Sequence, residues 1–152
     1  MRLARYAALG VGLFGVAQLV PYGRAHTNPP QLAEPEWDSP DTRTLFLRVC
    51  RDCHSNETSW PWYSFVAPAS WLVEHDVDEG RSHLNVSEWG HGKQHGEEAA
   101  GMVRDGEMPP WFYRPFHASD QLTPAELEPF IAGLERTFGI PADEHDHEDH
   151  EH

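Results

Sequence analysis

The sequence predicts a small all-α domain, and three observations carry that prediction. Residues 124–138 hold one apolar stripe at helical spacing behind a capping signal, and residues 40–53 hold a second stripe that can face it. No run of convincing length alternates apolar and polar residues as a half-buried strand would. At 152 residues the chain suits one domain, and no internal repeat is visible.

Residues 1–25 are read as a signal or membrane anchor. Arg2 and Arg5 supply a positive start, and the stretch from Tyr6 to Gly23 is uncharged and mostly apolar. That length lies at the lower edge of the roughly 17–25 residues that span a bilayer. Gly23-Arg24-Ala25 matches a small-x-small cleavage site poorly, which favours an uncleaved anchor. Cleaved or not, the topology is the same: positive end inside, the remainder exported. Gly10, Gly12 and Gly15 weaken the alternative of a buried core helix. Residues 26–40, rich in Pro, read as an extended linker.

The domain is expected over 41–140. Ser39 can cap a helix that begins at Pro40 with Asp41 in its first turn. Leu45, Val49 and Cys53 then fall at i, i+4 and i+8, with Phe46 and Cys50 beside them. Residues 55–73 are dense in aromatics and broken by Pro61 and Pro68. Their bland reading is local core under a loop. Their functional reading is a wall against a large flat group, formed by Trp60, Trp62 and Tyr63. A short helix over 71–85 with a turn near Gly80, a polar loop over 85–96 and a helical stretch over 97–104 follow. Thr123-Pro124-Ala125-Glu126 then opens the final helix, whose stripe is Leu127, Phe130, Ile131, Leu134 and Phe138; Gly139 and Pro141 end it. Residues 141–152 are predicted to be a disordered acidic, His-rich tail able to hold divalent metal weakly, or simply a solvated face.

Cys50-Arg51-Asp52-Cys53-His54 carries the chemistry. Cys-x-x-Cys-His is the signature of covalent c-type haem attachment: two thiols join the haem vinyl groups, and the adjoining histidine ligates the iron. Both cysteines of the chain lie in this motif, so no disulfide framework remains. For the sixth iron position, Met108 is the leading candidate, since Pro109 and Pro110 stiffen a non-helical segment around it. Met102 is read as ordinary packing. His75, His83, His91, His95 and His117 are rivals, His117 foremost because it follows the Met108 segment closely.

Taken in order, the motif with SNETSWPWYSFVAPASWLV, GRSHLNVSEW (80–89), GEMPPWFY (106–113), the closing LTPAELEPFIAGL helix and PYGRAHTNPP (21–30) resemble the bacterial haem-binding domain family of exported, cytochrome-c-like proteins. The resemblance spans nearly all of the chain from the hydrophobic segment to residue 139. It implies a cytochrome-c-like domain of a few helices around one covalent haem c, held by Cys50, Cys53 and His54. It also implies Met108 as the distal ligand.

The expected function is a monohaem single-electron carrier on the exported side of the membrane, served by redox partner proteins. The alternative is a haem-based sensor or gas-binding module with a labile distal ligand. A peroxidase-like enzyme would need an open distal site and often a second haem; only one Cys-x-x-Cys-His is present, so no enzyme is expected. A Cys2His2 zinc site lacks a well-placed histidine pair, and a thioredoxin-like reading lacks any βαβ pattern. A net charge of −14 argues against nucleic acid and against adsorption to anionic lipid through the folded surface, and fits a basic docking partner.

Overall fold

The structure is a computed structural model that describes residues 2–141. Among them the α-helices are α1 (Arg2–Ala17), α2 (Pro40–Val49), α3 (Arg51–His54), α4 (Ala69–His83), α5 (Ala99–Arg104) and α6 (Pro124–Phe138). No strand forms among the described residues beyond a single parallel bridge between Ala33 and Glu88. The all-α expectation is met. The expected tail lies outside the described residues from 142 onward.

The two predicted stripes do find each other. Ser39 Oγ accepts the Thr42 amide at 3.2 Å, Pro40 opens α2, and Phe46 and Val49 are buried on its inner face. On α6, Phe130, Ile131 and Leu134 are buried and Leu127 and Phe138 pack at their edge. A Cβ on Gly133 would overlap the Thr42 side chain, so the missing side chain is what lets α2 and α6 approach there. Arg48 closes one end of the pair with a two-point bond to Glu126 at 2.8 and 3.0 Å, and Arg136 closes the other on Asp38 at 2.8 Å. Leu84, Val86, Ala100 and Val103 complete the core.

Three expectations need correction. The helix over 40–53 is not continuous. It stops at Cys50, whose carbonyl accepts the amides of Cys53 at 3.3 Å and His54 at 2.9 Å, starting the separate turn α3. No turn forms near Gly80, because α4 runs straight through it to His83. A Cβ at Gly80 would stand 2.5 Å from the Cys53 carbonyl oxygen, so glycine here serves a close helix contact rather than a bend.

Residues 26–38 are extended, yet they lie along the domain rather than leading away from it. Asn28 Nδ2 donates to Thr58 O at 2.9 Å, the Leu32 amide donates to Ser87 O at 2.8 Å, and Trp37 packs against Phe46 and Phe138. Asn56 ties this strap to the loop after α4 by donating to Pro30 O at 3.1 Å and Glu88 Oε1 at 2.8 Å.

The bilayer span expected of residues 1–25 finds no support among the described residues. An apolar helix is present, but α1 has 16 residues, and no described helix is long and apolar enough to cross a membrane. The chain leaves the helix just before Gln18, whose side chain pairs with Ala67, donating to its carbonyl at 2.9 Å and accepting its amide at 3.0 Å. Gly23, at φ 79°, then sits against the Ser70 backbone on α4.

Candidate functional site

The break at Cys50 turns the Cys-x-x-Cys-His segment towards a cavity of ≈ 370 Å³ bounded by every helix except α1. That volume falls within the range of about 300–1,000 Å³ usual for cofactor and ligand sites. Cys50, Cys53 and His54 form one side. Phe46, Val49 and Leu134 supply apolar backing from the core, and Met102 and Val103 project from α5. Met108, Pro109, Pro110, Phe112 and Tyr113 close it from the loop after α5. The proposed attachment cysteines, the proposed proximal ligand and the proposed distal ligand therefore share one chamber.

His54 is held in one tautomer. Its Nδ1 lies 3.0 Å from both Gly80 O and Leu84 O, and only an N–H there can satisfy two carbonyls. Nε2 is then left as the free lone pair. Burial pushes the imidazole below its usual pKa, against the pull of those two carbonyls, which keeps it neutral and able to ligate. Such a carbonyl partner is what orients a ligating histidine and raises its basicity. Its own backbone is fixed as well, since His54 O accepts the Val86 amide at 2.9 Å.

Both cysteines are free and only partly buried. Burial pushes the Cys50 thiol up to about 12, with Cys53 adding to it; the same desolvation, with Asp76 and Asp52 behind it, takes Cys53 to about 12. They are neutral thiols in this fold. Asp52, between them, is bound on both oxygens: Oδ1 accepts the Ser59 amide at 3.0 Å and Oδ2 the Tyr113 hydroxyl at 3.3 Å. Burial and the neighbouring Asp52 push the Tyr113 phenol well above its ordinary range, so it stays a donor. Its ring stacks on His117 at 3.6 Å, and its bond to Asp52 ties the Met108 loop back to α3.

The predicted aromatic wall is elsewhere. Trp60 stacks on His26 at 4.5 Å, under the strap, and Trp62 is 79% exposed. Tyr63 packs on Phe116 at 5.7 Å and lines a separate small pocket of ≈ 50 Å³ with Asp52 and Tyr113. Pro68 and the 3-10 turn Trp62–Phe65 carry these rings away from the large cavity, whose flat walls are instead Phe112, Tyr113 and the two prolines.

Of the rival ligands, His75 and His91 are exposed and outside the cavity, and His117 stands behind Tyr113. His83 and His95 do reach its rim, and Met102, read as packing, lines it too. Among the described residues no group of three or more metal-competent side chains includes Cys50 or Cys53, which leaves the Cys2His2 zinc alternative without a structural basis.

What sequence reasoning missed is the shared face of α4, on which Asp76, Glu79 and Gly80 line the cavity together with the rival His83, at i, i+3, i+4 and i+7. A signal existed: a helical face bearing a glycine among polar residues, directly before the segment that holds His54.

A family model described as a haem-binding domain matches residues 12–136. No curated protein and no solved structure matches.

Proposed function

The chain belongs to the haem-binding domain family, and from that premise we propose that it carries one covalently attached haem c and acts as a single-electron carrier. The observation that supports this reading is the meeting of Cys50, Cys53, His54 and Met108 around one apolar cavity, with His54 presenting a lone pair at Nε2. When bound, haem supplies a one-electron couple at its iron.

Each residue then has a defined task. Cys50 and Cys53 would hold the haem through thioether links, and His54, oriented by Gly80 O and Leu84 O, would ligate its iron. Met108 would supply a second ligand, its thioether sulfur, from its proline-stiffened loop. With a histidine and a methionine both holding it, a bound haem would favour electron transfer over small-ligand chemistry. Phe46, Val49, Leu134, Phe112 and the two prolines exclude water. The sensor reading would need Met108 to leave easily, so slow carbon monoxide binding by the reduced protein would count against it.

Export is part of the proposal, supported by the positive start and apolar α1, because thioether attachment belongs outside the cytoplasm. The acidic surface, at −14 net charge, suits redox partners with basic faces. No catalytic role is proposed.

The test is to produce the chain in a host competent for haem c maturation and extract the denatured protein with acid acetone. Colour that stays with the polypeptide, one haem per chain by pyridine haemochrome, and thiols that resist alkylation are expected. A colourless polypeptide with both thiols free would overturn the proposal.

A further inference from the structure

At the rim where α4 ends and α5 begins, five side chains competent for metal converge. His95 Nδ1 lies 3.5 Å from Glu98 Oε1 and 3.9 Å from Glu97 Oε1, and one ligand atom from each of the three lies within 4.8 Å of the others. A second imidazole stands next to them: the ring of His83 is 5.9 Å from that of His95, and its Nε2 is 3.5 Å from Glu79 Oε2. The backbone holds the two histidines together, with the His95 amide donating to His83 O at 2.8 Å.

We propose that His83, His95, Glu97 and Glu98 form a binding site for one divalent ion of the zinc class. Bond lengths of 2.0–2.2 Å in tetrahedral geometry put neighbouring ligand atoms about 3.4 Å apart. The His95–Glu98 spacing is already close to that, Glu97 offers an oxygen within 4.8 Å of both, and the His83 ring stands 5.9 Å from that of His95. Two imidazoles with two carboxylates select zinc, copper or nickel over the oxygen-seeking magnesium and calcium. Charge drives the same way. Glu79, Glu97 and Glu98 crowd negative charge on a chain that is already −14, and a cation relieves that repulsion. Because Glu79, His83, His95 and Glu98 also line the cavity, the ion would staple α4 to the start of α5 across its mouth. The site uses none of Cys50, Cys53, His54 or Met108, though it shares their cavity rim, so the titration is made on the haem-loaded chain.

The His-rich tail is the confounding binder, and the test is built around it. Zinc is titrated by equilibrium dialysis against the full-length chain with His145, His147, His150 and His152 all replaced by Ala. One zinc per chain is expected to remain. Adding His95→Ala to this background should weaken binding about tenfold or more, and adding Glu98→Gln, an exposed change that leaves the fold intact, should also weaken it. Millimolar magnesium should not compete. Loss of all zinc with the tail histidines, unchanged affinity in both added variants, or displacement by magnesium would each overturn the proposal.

Discussion

Gly80 of α4 lies against Cys53 of α3 so closely that a Cβ there would stand 2.9 Å from the Cys53 Cβ and 2.5 Å from its carbonyl oxygen. The same residue offers its carbonyl to His54 Nδ1 at 3.0 Å. One glycine thus sets both the distance between the two helices and the orientation of the His54 imidazole. Gly80→Ala should cost about 1–3 kcal/mol through overpacking and displace the imidazole. Urea denaturation and the haem spectrum measure the two effects. Gly101→Ala, at a helical glycine with nothing within 4 Å, is the control and should stabilise by about 0.5–1 kcal/mol.

Two thioethers reach the cavity, Met102 from α5 and Met108 from the following loop. The Met108 amide donates to Met102 O at 3.0 Å, so the two segments are braced against each other. Met108→Ala should abolish the sulfur-to-iron charge-transfer band of the oxidised protein and open the iron to carbon monoxide, whereas Met102→Ala should retain the band. The reverse pattern would transfer the ligand role to Met102.

Close approach of α2 and α6 predicts a second packing defect. Gly133→Ala would force its methyl into the Thr42 side chain and should destabilise by about 1–3 kcal/mol. The double variant Gly133→Ala with Thr42→Ala should be destabilised by less than the sum of the two single changes, since the Thr42 hydroxyl and methyl are the atoms met most closely. Chemical denaturation of the three variants reads the coupling.

Acid sensitivity should begin at the other end of the same helix pair. Glu126 is held down to about 2 from 4.5, first by the Arg48 hydrogen bonds and then by the Thr123 amide and hydroxyl. Its folded value is the depressed one, so its contribution is complete above about 4.5 and is lost as pH falls from there towards 2. Glu126→Gln should flatten that part of the melting-temperature profile and leave the neutral region with the same slope.

The elements legible in the sequence were those whose signal is local. Ser39, Pro40 and the Thr123–Glu126 box announce helix starts because capping involves only three or four neighbouring residues. Cys50, Cys53 and His54 are equally local. Trp60 and Trp62 misled because aromatic density reports that something is covered and not what: His26, far away in sequence, is the ring that Trp60 stacks on. Gly80 misled for a related reason. A glycine in a helical pattern marks either a bend or a close neighbour, and the neighbour at Cys53 is visible only in three dimensions.

Had residues 26–38 been a loose tether, polymer statistics would give them a root-mean-square reach of about 20 Å. Bound instead along Thr58 and Ser87, and preceded by the paired Gln18–Ala67 contact, they fix the direction in which α1 departs. Whatever α1 engages therefore also decides which way the mouth of the cavity points. A docking molecule would meet a head mounted on a stiff post, with one bearing, rather than one that swings to find it.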